Sequence, residues 1–253
     1  MDVIPYLERA RGWLVASLLI GTWACIVELR WVPRAFLPSP VEVGRGFVEI
    51  LGGGVLARHT LNSMARFFAS YIVASGLGVV AGVGMGILPV VGRWVRPLVV
   101  FFNAIAGVAW LPLAMLWFGT GEPTVAFVTV NGIFFVVVVN TLAGVQSVPS
   151  LYIQGVQVLG AGKMQVIWQV LLPGALPAVV SGLRLAMGFG WRALVASEML
   201  AAASGLGYLI YRASYDFRYD VVWAGILLVG LLNIGIDRVV FVRAERWIAE
   251  RWA

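Results

Sequence analysis

The chain has 253 residues, of which 61% are hydrophobic and only 12% charged, with a mean hydropathy of +0.93 and a net charge of +6. An average soluble domain carries roughly 25% charged residues, so this composition excludes one and implies a polytopic membrane protein. One cysteine, Cys25, and one histidine, His59, exclude a disulfide framework and a Cys/His metal site built by this chain alone, and the scattered arginines form no basic block suited to nucleic acid.

The alternating segments of about ten residues that mark a β-barrel are absent. Eleven tryptophans and thirty glycines suit helices whose ends sit among headgroups and whose faces pack closely. Because about 20 apolar residues rising 1.5 Å each cross a hydrocarbon core of about 30 Å, the uncharged runs predict an all-α protein with about six transmembrane helices.

In chain order, the first span covers residues 13–27, after Arg9 and Arg11. It runs into Glu28 with no small-x-small cleavage pattern, which argues against a removed signal peptide. Thr22 and Trp23 do not fit a lipobox, and Cys25 is expected to be a buried thiol. The loop over residues 28–59 is punctuated by Pro33, Pro38, Pro40 and the glycines 52–54. Within it, SPVEVGRGFVEIL reads as a short interfacial helix capped by Ser39 with Pro40 at its first position. The second span lies between Arg66 and Arg93, where Ala74, Gly78, Gly82 and Gly86 recur every four residues. Such a stripe admits another helix closely, either within the chain or from a second copy. His59, beside Arg58, reads as a solvated interfacial residue.

GRWVRP is expected to form a tight basic turn, residues 97–118 a third span, GTGEP a turn, and residues 124–145 a fourth span. Glu122 in the second of those turns reads as a helix cap or a contact for a partner. Residues 146–172 are apolar yet unlike a span. Gln154, Gln157, Gln165 and Gln169 are spaced through them, Gly155, Gly160 and Gly162 interrupt them, and Pro149 and Pro173 bracket them. A helix, a glycine break and a second helix are expected. The fifth span begins near Pro173 or Pro177 and reaches about Ala202, and the sixth lies between Asp220 and Asp237, before the tail DRVVFVRAERWIAERWA. Placing both termini in the cytoplasm puts nine basic residues inside (Arg9, Arg11, Arg93, Arg96, Lys163, Arg238, Arg243, Arg246, Arg251) and six outside (Arg30, Arg34, Arg45, Arg58, Arg212, Arg218), a bias that favours this orientation.

Three ionisable residues fall inside the fifth span, where each costs at least about 2.5 to 3.5 kcal/mol on insertion scales. Arg184 lies about 16 Å along a helix that starts at Pro173, or nearer the surface if the start is Pro177. Arg192 and Glu198 sit about 240° apart around the helix and need partners elsewhere. A guanidinium holds a sulfonate, carboxylate or nitrate through paired hydrogen bonds, so Arg192 is a candidate for contact with an anion, against a structural ion pair or a place in an outer vestibule. Asn103, Trp110, Trp117, Asn131 and Asn140 on spans three and four are further lining candidates.

The segment around LGAGKMQVIWQVLLPGALPAVVSGLRLAMGFGW resembles the EAA loop and following span of ABC-transporter permease subunits. Gly160 stands at the loop's glycine, and Val170, Leu172 and Pro173 supply its ending at the expected spacing. Gln154, Gly155 and Val156 replace the name-giving triplet and remove its glutamate. FLPSPVEV, AWLPLAMLWFGTGEP, NTLAGVQSVP and LVASEMLAAASGLGYLI extend the likeness, in order, to the taurine, sulfonate, nitrate and bicarbonate branch, nearest the taurine and aliphatic sulfonate permeases.

The resemblance implies a type I ABC importer (MetI-like) permease fold forming one domain over residues 1–253, in a bacterial inner membrane. It implies a homodimer as the pore, two cytoplasmic ATP-binding cassette subunits, and a periplasmic or lipoprotein solute-binding protein. Residues 146–172 would couple to the ATPase through Leu151, Gln154, Val156, Gln157, Leu159, Gly160, Ala161, Gly162, Lys163, Leu172 and Pro173. Tyr152 and Val158 would be buried there with Leu151, Val156 and Leu159. The translocation path would include Arg184, Arg192, Glu198, Asn103 and Asn131. Arg184 and Glu198 match positions the family carries, whereas Arg192 departs from a small or aliphatic residue. Taurine or an aliphatic sulfonate is the foremost implied cargo, with nitrate, bicarbonate or another small organic anion as alternatives.

No P-loop is present: Lys163 follows Gly162 but precedes Met164, and Gln157 stands where the first glycine would be. The chain is therefore not expected to be the ATPase, and no catalytic residue, cofactor or metal is assigned to it. An intramembrane enzyme would need a clustered nucleophile and base or a metal site, which one histidine and no acidic pair within the spans do not supply. A secondary transporter working alone predicts inverted repeats, and spans one to three show no likeness to spans four to six.

Overall fold

The computed structural model describes residues 4–33 and 36–242; Arg34 and the basic tail from residue 243, both used in the orientation argument, lie outside them. Among the described residues every regular element is helical: α1 (Ile4–Glu28), α2 (Pro40–Gly52), α3 (Val55–Ile87), α4 (Pro89–Ala104), α5 (Leu111–Phe118), α6 (Glu122–Ser147), α7 (Ser150–Val158), α8 (Lys163–Val166), α9 (Leu172–Ala201), α10 (Leu206–Tyr215) and α11 (Tyr219–Ile236). A π turn, Ile167–Leu171, joins α8 to α9 in one rod, and a second, Asp237–Phe241, extends α11. Pro173 explains the first: it has no N–H to close an α-helical bond, and its ring crowds the carbonyl a turn earlier.

By length and composition four helices suffice to cross a membrane: α3, α6, the rod Lys163–Ala201 and the helix Tyr219–Phe241. The pair Pro89–Ala104 and Gly107–Phe118, bent by 89°, makes up to a fifth, and in α1 the apolar part is Ser17–Glu28. The third span is therefore not continuous. Ile105 and Ala106 are extended, and Gly107 lies so close to Gly132 on α6 that a Cβ there would stand 2.9 Å from the Gly132 Cα. The chain restarts as a helix with Pro112 in the first turn of α5, where a missing N–H costs nothing. GRWVRP is likewise no turn: it lies within α4, and the corner is at Leu88, forced by Pro89 at the first position of the new helix. Cys25 is exposed on α1 rather than buried.

The central helix is α6, which packs along α3 on one side and α9 on the other. The small-residue stripe of α3 meets α6 within the chain. A Cβ on Gly78 would stand 2.8 Å from the Val137 Cβ, and one on Gly82 would stand 2.6 Å from the Thr141 Cβ. The missing side chains let the two backbones approach, so dispersion contacts are made along the whole seam. The expected interfacial helix is α2. Ser39 and Glu42 form its capping box, the Glu42 amide donating to Ser39 Oγ at 3.2 Å and the Ser39 amide to Glu42 Oε2 at 2.6 Å. It lies against α11, where Arg218 bridges Asp220 and Glu49, and those two carboxylates raise the Arg218 pKa further above its ordinary value. Helix α10, between the fifth span and the last, was not expected from the sequence.

Candidate translocation site

Helix α9 carries two faces. Gly182, Ala186, Gly190, Ala193, Leu194 and Ser197 are buried against α6 and α3, while Ser181, Leu185, Phe189 and Arg192 recur on the exposed side at helical spacing. Arg192 thus points away from the packed core, with its guanidinium carbon 5.3 Å from the Phe189 ring centre. No carboxylate partners it among the described residues.

The exposed face of α9, the break after α4 and the middle of α6 enclose a cavity of about 600 Å³. Asn103, Asn131, Asn140 and Arg192 are among its polar lining residues, so the structure brings together three of the five expected pathway residues. The buried Oδ1 of Asn131 has no hydrogen-bond partner, whereas Asn140 spends its amide nitrogen on the Val136 carbonyl at 2.8 Å. A second cavity, of about 560 Å³, shares Arg192 and adds Arg184, Asn233 and Asp237. There Arg184 donates from Nε and Nη2 to the two Asp237 carboxylate oxygens at 2.7 Å each, a bidentate pair that neutralises it. Trp110 and Trp117 line neither cavity.

Glu198 lines neither cavity as well. It is fully buried at the end where α3 and α6 begin and α9 finishes, and it accepts from Ser63 Oγ at 2.8 and 2.9 Å, Arg66 Nη1 at 3.0 Å and the Gly207 amide at 3.0 Å. Arg66 also donates to Glu122 through Nε at 2.6 Å and through Nη2, and to the Ser204 carbonyl at 2.5 Å. Glu122 is thus the first residue of α6 and an ion-pair partner at once. His59 accepts the Gly205 amide on Nδ1 at 2.9 Å and stacks on Tyr208. Arg66 and Asp237 stand in the sequence at the flanks of apolar runs, which hides their part in these ion pairs. The signal was present for Arg66, which stands well inside the apolar helix that starts at Val55.

At the opposite end, residues 146–172 form a helix, a glycine turn and a second helix. Gly160, at φ +88°, closes α7: its amide donates to the Gln157 carbonyl and the Ala161 amide to the Val156 carbonyl, both at 3.0 Å. These are the two bonds of a Schellman motif, which needs a left-handed residue at that place. Gln165 then caps α8 by accepting the Gly162 amide at 2.8 Å. Leu151, Tyr152, Val158 and Leu159 project outward, Leu159 with 87% exposure. Gln154, Gln157 and Lys163 are exposed beside them, Ala161 is half-buried, and Leu172 and Pro173 are half-buried where the rod enters the bundle. Val156 differs from its neighbours: it is half-buried and faces its own chain, lining a groove with Tyr152, Gln169 and Pro173.

Residues 74–247 match the family described as "Binding-protein-dependent transport system inner membrane component". The chain is 35% identical over 243 residues to the taurine transport system permease protein TauC of Escherichia coli (strain K12), covering 92% of this chain and 88% of that one. Over 234 residues it is 29% identical to the nitrate import permease protein NrtB of Synechococcus elongatus, covering 90% and 82%. Its fold is similar to a chain of the MetNI methionine ABC transporter in an inward-facing conformation, with a TM-score of 0.64 at 21% identity over 77% of this chain and 96% of that one. A chain of the bacterial alginate ABC transporter, in complex with an alginate-bound periplasmic protein, gives 0.59 at 17% identity over 93% and 98%. A multi-pass all-helical chain with this central bundle, this match and these relatives belongs to the family of binding-protein-dependent transport system inner membrane components, the permease subunits of ABC importers.

Proposed function

We infer that the whole chain is one permease domain which, with a second copy, forms the path of an importer for a small organic anion, taurine or another aliphatic sulfonate. The observation that carries this reading is Arg192, the one charged residue lining the larger cavity, in a chain 35% identical to a taurine transport permease. Nitrate is the second reading, supported by the likeness to the nitrate import permease.

Two cytoplasmic ATP-binding cassette subunits drive transport by gripping residues 146–172, both termini face the cytoplasm, and a solute-binding protein delivers cargo to the end that holds Glu198. The outward apolar side chains of α7 support the docking: their contact with an ATPase groove would remove water from surface worth about 25 cal/mol per Å². Because the family's glutamate is absent, Gln154 and these apolar groups make the contact. Val156 instead holds α7 to its own chain, with Leu172 and Pro173 passing the movement of α7 into α9.

Uptake of labelled taurine, alkanesulfonates and nitrate by the chain co-expressed with its ATPase and binding protein tests the proposal. Gly160→Val should cost about 1 to 3 kcal/mol in the turn, since a branched residue resists the left-handed conformation, and should uncouple or disassemble the complex. Wild-type uptake by that variant would refute the coupling role.

A further inference from the structure

We propose that the start of α4 is a binding site for an anionic phospholipid of the cytoplasmic leaflet, with Arg93 and Arg96 on its phosphate and Trp94, Leu98 and Phe101 along its acyl chains. The choice of leaflet rests on the orientation inferred above, with both termini in the cytoplasm.

The place of the site follows from packing. Gly86 at the end of α3 meets Val145 at the end of α6, and Val148 just beyond meets Gly174 in the rod. The corner at Leu88, from which α4 departs, therefore lies at the end of the bundle that carries α7. Around its axis α4 shows three sectors. Gly92 and Val99 are buried on the bundle. Arg93 and Arg96, nearly one turn apart and so neighbours on the helix surface, are exposed. Trp94, Leu98 and Phe101 recur at helical spacing on the remaining outward sector, Trp94 with 80% exposure.

The charge of the two arginines is unanswered. No acidic residue occurs between Glu49 and Glu122 or between Glu122 and Glu198, a length of chain that contains α4, α7 and the start of the rod. Among the described residues no carboxylate pairs with Arg93 or Arg96. Arg93 donates from Nε to the Pro89 carbonyl at 3.4 Å, which turns its guanidinium back toward the corner and so toward the headgroups. Two guanidinium forks without acids are complementary to a phosphate. The apolar sector decides among phosphate carriers. It continues for about 10 Å past Trp94 toward Phe101, away from water, where acyl chains reach and a cytoplasmic subunit does not. Tryptophan beside arginine is also the pairing that the headgroup boundary favours. A symmetric contact of this face with a second copy would crowd four arginines together with no acid from these elements to separate them.

The test uses the chain with its ATPase and binding protein, in nanodiscs holding equal amounts of phosphatidylglycerol and phosphatidylcholine. Lipid retained after transfer to detergent is identified by native mass spectrometry. The parent should keep phosphatidylglycerol about ten- to thirtyfold over phosphatidylcholine at its most tightly held position. Arg93→Gln with Arg96→Gln should bring that ratio close to one, lysine at both positions should keep most of it, and Arg45→Gln, on the exposed side of α2, should leave it unchanged. A second measurement alters no charge: the fluorescence lost in Trp94→Phe should be quenched in the parent more by brominated phosphatidylglycerol than by brominated phosphatidylcholine. Equal retention by the parent and the double glutamine variant, or equal quenching by the two lipids, overturns the site. Displacement of the lipid by inorganic phosphate would reduce it to an ion site and overturn it too. So would protection of Trp94→Cys from a maleimide by the ATPase without lipid, in a Cys25→Ser background. Both leaflets of the nanodisc hold the same lipids, so these results do not depend on orientation. Reaction of Gln154→Cys with an impermeant maleimide outside intact cells would instead overturn the orientation, and with it the leaflet, while the lipid stayed bound.

Discussion

Glu198 is a carboxylate removed from solvent whose charge is answered by one guanidinium, one hydroxyl and one backbone amide, drawn from α3 and from the start of α10. Removing one member of such a set leaves the others buried and unpaired. Glu198→Ala should therefore destabilise the protein by about 3 kcal/mol or more, read as a lower melting temperature in detergent and a lower yield in the membrane. Glu122 bonds the same arginine from an exposed position, so Glu122→Gln should cost about 1 kcal/mol or less in the same assay. The contrast shows what a sequence can tell about charges in a membrane. Glu198 was recognisable as a residue that needed partners, since an acid deep in an apolar helix must have them. Which partners it takes is a matter of which helices meet, and that information is not local. Arg192 was legible for the complementary reason: its position relative to Glu198 on the helix forced the two apart, and the structure places one in the core and the other on a cavity wall.

The helices themselves were legible wherever an apolar run met clear punctuation, as at Ser39 and Pro40 before α2 or at Gly160 after α7. They were misread where punctuation had two meanings. Pro97 and Pro112 both lie within helices, one in the middle of α4 and one in the first turn of α5, and the real break falls between them, where Gly107 meets Gly132 across the bundle. A second signal went unread. Gly182, Ala186 and Gly190 repeat the four-residue spacing seen on α3, and they bury α9 against α6 in the same way. The α3 stripe offers a direct test of the packing account. Gly82→Leu should cost about 1 to 3 kcal/mol by driving atoms into Thr141, while Gly84→Leu, whose added Cβ meets nothing within 4 Å, should fold as the parent does. Similar melting temperatures for the two variants would show that the seam is not closely packed.

At the scale of the molecule, the buried polar hub stands at one end of the bundle, the apolar face of α7 at the other, and the Arg192 cavities between them. The rod Lys163–Ala201 is the element that reaches from the glycine turn after α7, along the cavity wall, to the hub. Its π turn has a consequence for what the chain tolerates in length. A π-helical ring holds one residue more than an α-helical ring, so Ile167–Leu171 absorbs an extra residue without turning the two flanks out of phase. Deleting Trp168, which is exposed, should convert the turn to plain α-helix and leave Arg192 aimed at its cavity. Deleting Val179 from the regular part of α9 should instead swing everything before it by about 100° relative to everything after it. Substrate uptake should survive the first deletion and vanish with the second, which makes the π turn the one place in this rod where chain length and helix orientation are independent.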